Sequence, residues 1–381
     1  MVPELVVLTE QLLAPVPGGT GRYTSELLHA MVKHVPPGWT LVGATAKHRD
    51  PAAATIPGVD GPRMMPLPRR ALTLAWERGV RLWPGGDAVH APTPFAPPAP
   101  RRGRSLVVTI HDTVPFTHPE TLTRRGAAWH QAMIKRATRQ ASAIVVPTEA
   151  VAAELAKYAP GPARVHVIGH GVPDVLTRPP APDTAERTVE HLRLPERYVL
   201  AVGTIEPRKG LDVLVEAMAR PAAPDLPLVI AGPPGWGGMN LAGIAAESGL
   251  RPDRLRVLGK LTDSELAVVL HRASVLAAPS MAEGFGLPLL EAMAAGIPVV
   301  HSDAPALVEV AAGTGVLARR NDPVALAAAL HSVIASPGQT AMRVRAAKAR
   351  AADFTWDKAA ESLWRLHVEL RDADAVPARP M

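Results

Sequence analysis

The chain contains no cysteine. Disulfides, thiolate metal sites and a cysteine nucleophile are therefore excluded, and a reducing, cytoplasmic setting is the expectation. Aromatic residues are scarce at 4%, so any core must be built from Ala, Val, Leu and Ile. Long apolar runs are missing too, each being broken by Pro, Gly or charge well short of the ~20 residues that span a bilayer. The opening MVPELVVLTE has no basic stretch and no small-residue cleavage site, so no secretion signal is expected. What is present is a globular balance, 47% apolar against 20% charged, which excludes a disordered chain. A length of 381 residues exceeds one ordinary core and predicts two domains. Lys and Arg outnumber Asp and Glu by 41 to 35, which favours acidic ligands. The basic residues are scattered without interleaved aromatics, so nucleic acid is not an expected partner.

Short apolar runs bounded by turn residues (ELVVL, SLVVTI, SAIVVP, RVHVI) alternate with amphipathic segments around Glu26–Lys33, Ala127–Arg139 and Val151–Tyr158. This rhythm predicts βαβ units on a parallel sheet. It stops between Pro173 and Arg197, a stretch rich in Pro and charge that reads as an interdomain connection. It resumes at YVLAVGTI and runs to IPVV, giving a second doubly wound domain. Trp356, Ala360, Leu363, Trp364, Leu366 and Leu370 then mark one last amphipathic helix, with a loose tail expected past Asp372. The predicted organisation is α/β throughout: an N-terminal domain 1–172, a C-terminal domain 173–354, and a final segment 355–381 returning to the first.

Ligands of open parallel sheets sit outside the carboxyl ends of the strands, and four loops there carry candidate chemistry. In EGFGLPLLEAMAAGIPVV, Pro288 suits a first helical turn and Gly296 a stop, so a helix is predicted over Leu287–Ala295. The Gly284-Phe285-Gly286 loop would lie over its N-terminus, where backbone N–H groups and the helix dipole favour an anion such as a diphosphate. Glu291 is expected in the first turn of that helix, accepting ribose hydroxyls, and Glu283 toward the sugar end; a capping role for both is the ordinary alternative. In GTIEPRKG, Gly203, Arg208 and Lys209 follow a strand, so the two cations could neutralise a leaving diphosphate. PGGTGRY, with Gly18 and Gly19, follows the first strand and opens a helix, but it fails as a dinucleotide fingerprint because Thr24 stands where a third glycine belongs. In HDTVPFTHPE, His111 could donate to a substrate hydroxyl or hold a loop, and Asp112 orients loop backbone.

The segment around GFGLPLLEAMAAGIPVV resembles the donor-site motif of retaining glycosyltransferases of the GT-B fold, family 4. PGGTGRY, HDTVPFTHPE, GTIEPRKG, LGKLTDSEL and SDAPALVEV occur in that family's usual order, so the resemblance covers nearly the whole chain. It implies two Rossmann-like domains facing across a cleft, the first binding an acceptor and the second a nucleotide-sugar donor. It implies that Glu291 binds the ribose diol, that Glu283 and the backbone of Gly284, Phe285, Gly286 and Leu287 bind the donor sugar, and that His111 contacts that sugar. Gly18 and Gly19 would reach donor phosphate or acceptor, and the base would be read by backbone near Gly259, Lys260 and Leu261. HDTVPFTHPE with GTIEPRKGL is most similar to members using GDP-mannose. The chain departs from the pattern at His170, where relatives carry Asn before Gly.

No metal or cofactor is expected. Asp372-Ala-Asp374 spells an Asp-x-Asp string but lies outside any strand-end loop, and His166 and His170, read on a strand, would stand about 13 Å apart. The expected partners are a nucleotide sugar and a glycan, glycolipid or small-molecule acceptor. The segment Thr123–Arg139 places Arg124, Arg125, Lys135, Arg136 and Arg139 beside Ala127, Trp129, Met133 and Ile134, a pattern that leaves peripheral membrane contact open. A nucleotide-sugar epimerase of the same fold and a non-catalytic sugar-nucleotide-binding protein are the alternatives.

Overall fold

The computed structural model describes residues 2–16, 18–235 and 237–375, which form two compact units. The first comprises Met1–Pro119, Thr123–Gly171 and Thr355–Met381, the second Glu120–Leu122 and Val172–Phe354. In the first unit seven strands, β1 (Glu4–Leu8), β2 (Thr40–Lys47), β3 (Asp60–Pro68), β4 (Ala88–Ala91), β5 (Ser105–Thr109), β6 (Ala143–Val146) and β7 (Arg164–Val167), run in the order β3-β2-β1-β4-β5-β6-β7. In the second, β8 (Val199–Val202), β9 (Leu228–Ala231), β10 (Leu255–Gly259), β11 (Val275–Ala278), β12 (Val299–Ser302) and β13 (Val316–Ala318) run β10-β9-β8-β11-β12-β13. All recorded pairings are parallel. Central strands such as β1, β5, β8 and β9 are almost wholly buried, as unbroken Val/Leu/Ile runs must be when helices cover both faces of a sheet.

Each sheet reverses its strand order once, between β1 and β4 in the first unit and between β8 and β11 in the second. A crevice opens at such a reversal because the flanking connections leave to opposite sides. The loops after β1, β4 and β5, and those after β8 and β11, are therefore the places where each unit can hold a ligand.

Two segments differ from the sequence reading. Residues 173–197 are not an open connection: they hold helices Asp174–Thr177 and Pro182–Leu192, and Ala185, Val189, Leu192 and Leu194 pack into the core of the second unit. The final helix runs from Trp356 to Ala375, so the chain past Asp372 is helical for three more residues; residues 376–381 lie outside the described part. That helix buries Ala360, Leu363, Trp364 and Leu366, and the Trp364 indole donates to the Met31 carbonyl at 3.0 Å. A side chain the size of Leu363 or Leu366 contributes about 1.5–3 kcal/mol on full burial, which holds the helix on the first unit.

Candidate active site

The helix Leu287–Ala295 begins at Gly286, whose φ of +93° is one that glycine adopts without strain. A Cβ there would lie 2.3 Å from Leu307 Cδ2, so space as well as torsion requires glycine. No side chain caps this N-terminus, so its first-turn N–H groups are left for something other than a capping residue. Gly284 and Phe285 are buried beneath the turn, and Leu287 is half-buried. Glu291 is not in the first turn. It is the fifth residue of the helix and only 4% exposed, so the segment's depth, which its apolar neighbours Leu289, Leu290, Ala292 and Met293 impose, carries it inward.

Arg208 and Lys209 occupy a short helical turn, Pro207–Lys209, after β8. Neither cation stands alone. Arg208 Nη1 donates to Glu283 (3.1 Å) and to the Ala282 carbonyl (2.9 Å), and its Nη2 donates to Glu206 (2.6 Å). Lys209 Nζ donates to Glu283 Oε1 at 2.6 Å, and the Ser280 hydroxyl donates to the same oxygen at 2.7 Å. Ser302 in turn donates to the Ser280 carbonyl at 2.6 Å. Burial raises the Glu283 pKa, but Lys209 and Arg208, with the hydrogen bonds from Lys209 and Ser280, outweigh it and bring it to about 2. Two carboxylates thus balance two cations in the loops after β8 and β11. Only about 20 Å³ of space remains between Lys209, Ser280, Glu283, Gly286 and their neighbours. The cations are engaged rather than open, so an incoming diphosphate has to compete with Glu206 and Glu283.

Gly203 follows β8, and a Cβ there would rest 3.5 Å from Lys209 Cε, so the glycine borders the lysine side chain. Lys260 is exposed and Leu261 half-buried, immediately after β10. Glu206, Ser280 and Ser302 were not singled out by sequence; Ser280, a hydroxyl three residues before Glu283, was the available signal.

In the first unit Gly18 and Gly19 are exposed and belong to the helix Gly18–Lys33, so GGTGRY forms its opening turns; Pro17 lies outside the described residues. His111, after β5, holds its Nε2 2.8 Å from the Pro92 carbonyl. A carbonyl only accepts, so Nε2 carries the proton and the neutral ring has Nδ1 as an acceptor. Donation from Nε2 to a sugar is thereby replaced by loop anchoring. Burial lowers the His111 pKa despite Pro92 and Asp112. Asp112 Oδ1 accepts the Val114 N–H at 3.1 Å, the loop-orienting role expected of it.

Next to His111 lies an aromatic and imidazole cluster. Tyr23 meets the rings of His111 (4.6 Å), His170 (4.7 Å) and Trp356 (5.9 Å) between centroids, and its hydroxyl lies 3.2 Å from Thr109 Oγ1. His170 therefore lies beyond β7 and packs in this cluster, stacked on Trp356 with ring planes 14° apart. Behind it, His90 and His367 are fully buried with ring centroids 5.7 Å apart.

Among the described residues no group of three or more His, Cys, Asp or Glu is placed to hold a metal ion. None of their helices is long and apolar enough to cross a membrane. The helix Arg124–Gln140 keeps Ala127, Met133 and Ile134 in its own core, Arg136 bonds the Trp76 and Glu77 carbonyls, and Lys135 lies 5.6 Å from the Phe116 ring centre. Ala127, Met133 and Ile134 thus face inward while Trp129 is half-buried, and the exposed cations of the helix are Arg124, Arg125 and Arg139.

The sheet orders are those of two doubly wound α/β units, and comparison with known proteins identifies what they are similar to. Residues 17–175 match the family described as Glycosyltransferase Family 4, and residues 182–350 match Glycosyl transferases group 1. Each match spans less than half of the chain, and together they span most of it, so both units are similar to glycosyltransferases. It is 36% identical over 248 residues to D-inositol 3-phosphate glycosyltransferase of Salinispora tropica, a match covering 60% of this chain and 51% of that protein. It is 28% identical to O-antigen chain mannosyltransferase B of Escherichia coli over 68% of each chain. The chain thus spans about half the length of the first of these relatives. Its fold is that of sucrose-phosphate synthase from Thermosynechococcus elongatus, with a TM-score of 0.77 at 23% identity over 97% of this chain and 100% of that one.

Proposed function

We propose that the protein transfers a hexosyl group, mannose in preference, from a nucleoside-diphosphate sugar such as GDP-mannose to a hydroxyl acceptor, with retention and without a metal ion. In this reading the second unit binds the donor and the first the acceptor. The observation that carries it is the convergence of Arg208 and Lys209 on Glu283 beside the uncapped helix N-terminus at Gly286. As the bond from sugar C1 to the diphosphate breaks and that from C1 to the acceptor oxygen forms, charge grows on the departing phosphate. Preorganised cations and N–H groups stabilise such charge without solvent reorganisation. Arg208 exchanges Glu206 for a phosphate oxygen, Lys209 turns to the same group, and the acceptor's proton leaves with the phosphate.

Glu291 accepts the ribose diol, and Glu283 with Gly284–Leu287 holds the sugar. The mannose preference draws support from the mannosyltransferase relative. Thermal-shift and hydrolysis measurements against GDP-, UDP- and dTDP-sugars test the reading: stabilisation by GDP-mannose is the expected result. Absence of binding across the panel removes the donor assignment, and a UDP-sugar preference removes only the mannose refinement.

A further inference from the structure

The first unit contains a cavity of about 300 Å³ at the reversal of its sheet, beneath the loops after β1, β4 and β5. That volume is at the small end of the roughly 300–1,000 Å³ typical of ligand sites, room for a ring-sized group rather than a long chain. Trp129, half-buried on the helix Arg124–Gln140, forms part of its wall beside His130, with ring centroids 4.7 Å apart. The Trp129 indole N–H is buried with no hydrogen-bond partner among the described residues, and a donor left so in a folded protein calls for an explanation.

The charge of the wall selects the ligand. Glu10 and Asp112 are its carboxylates and Arg69 its one guanidinium. Glu10 is fixed by the Ala46 N–H (2.9 Å) and His48 (2.9 Å), and Arg69 stands 3.7 Å from it. Asp112 has no hydrogen bond among the described residues beyond the one to Val114. Burial lowers the pKa of both His111 and His130, which keeps the two rings neutral. Glu10 is already paired with Arg69 and His48, which leaves Asp112 as the wall's uncompensated charge, and a carboxylate disfavours a phosphate. Hydroxyl donors, by contrast, match the Asp112 oxygens and His111 Nδ1, and the apolar face of a pyranose matches an indole, the combination of apolar wall and few polar groups that defines small-molecule sites.

We propose that this cavity binds an uncharged sugar ring, with Trp129 as its stacking wall and Asp112 and His111 Nδ1 as hydroxyl acceptors. That the ring is the acceptor of transfer rests on the glycosyltransferase reading above; its binding does not.

Saturation-transfer NMR on the full-length protein with the methyl α-glycosides of mannose, glucose and galactose, and with mannose 6-phosphate and glucose 6-phosphate, tests this. At least one neutral glycoside should bind, with the sugar phosphates weaker by about tenfold or more and Trp129→Ala reducing neutral-sugar affinity by a similar factor. Trp129→Phe, which keeps an aromatic face, should retain most of the binding. Equal or tighter binding of a sugar phosphate overturns the proposal, as does failure of every neutral glycoside or indifference to both Trp129→Ala and Asp112→Asn. UDP and GDP are titrated in parallel. Nucleotide binding without sugar binding sinks the cavity assignment alone, whereas sugar binding without nucleotide binding sinks the donor reading and supports the cavity.

Discussion

The two units carry the same sheet reversal and have made opposite uses of it. At the β1/β4 reversal the loops stand apart around about 300 Å³ of space, lined by Glu10, Asp112, Arg69 and two histidines, His111 and His130, held neutral by burial. At the β8/β11 reversal the space is about 20 Å³, filled by a carboxylate held at a pKa of about 2 between two cations. One crevice suits an uncharged ligand and the other a charge in exchange for a charge. Shared topology therefore fixes where ligands go, while loop chemistry decides which ligands they are.

The largest expected effect breaks the charged crevice. Arg208→Ala or Lys209→Ala should cut turnover by on the order of 10²-fold, the scale of losing one preorganised electrostatic donor. Wild-type rates should be unchanged in excess EDTA. Loss of activity in EDTA with recovery in Mn²⁺ would show that a metal, not these side chains, carries the phosphate charge.

Acid should act on the other unit first. His90, His111, His170 and His367 are all fully or largely enclosed and have lowered pKa values, burial alone bringing His367 to about 3. Below pH 6.5 the unfolded chain takes up protons that these folded rings refuse, so stability falls with pH between 6.5 and about 3. One pH unit below 6.5 this is about 1 kcal/mol for each ring still neutral. Glu283 behaves differently: its depressed pKa stabilises the second unit fully above 4.5, and that contribution disappears only as the pH falls from 4.5 toward 2. Burial lowers His271 and His301 of the second unit as well, but they are two against His90, His111, His130, His170 and His367, so calorimetry at pH 7.5 and 5.5 should show the first unit's transition moving down further than the second's. The reverse order would mean the histidines are not what limits acid stability.

Two smaller effects concern the β8/β11 crevice. Glu291→Ala should weaken nucleoside-diphosphate binding by about 1–3 kcal/mol, through ribose hydroxyls left unpaired. Unchanged affinity in calorimetry would detach Glu291 from the ribose. Glu206→Gln should tighten nucleoside-diphosphate binding by a few-fold, since an ionised competitor for the Arg208 fork is replaced by a neutral one. Weaker binding would instead make Glu206 a positioner of Arg208.

Local signals in the sequence were legible where the chain punctuates itself. Pro288 and Gly296 bound the helix Leu287–Ala295 because torsion and a missing N–H act locally. Residues 173–197 resemble an open connection in sequence because prolines and charges there mark helix starts and solvent faces: Pro182 opens a helix, and Ala185, Val189 and Leu192 lie on its buried side. The partners of Arg208 and Lys209 could not be read at all. Glu283 is 75 residues from Arg208 in sequence, and only packing of the loops after β8 and β11 brings them together. The depth of Glu291 was likewise set by tertiary burial rather than by its place in the motif.

Apart from Glu120–Leu122, the second unit is one continuous stretch, Val172–Phe354, inserted into a first unit completed only by Thr355 onward. Gly171 lies so close to Trp356 that a Cβ on it would stand 2.2 Å from the Trp356 nitrogen, so within the first unit the chain departs and returns at one spot. During synthesis the first unit therefore cannot finish until the whole insert has emerged. If the insert is still unfolded, joining the two pieces means closing a loop nearly two hundred residues long, an entropic cost of several kcal/mol on the scale of (3/2)RT ln n. A folded insert presents its ends already together and removes most of that cost. The host unit thus inherits a dependence on its guest: a substitution that slows folding of the second unit should delay the first, even where the two share no contact.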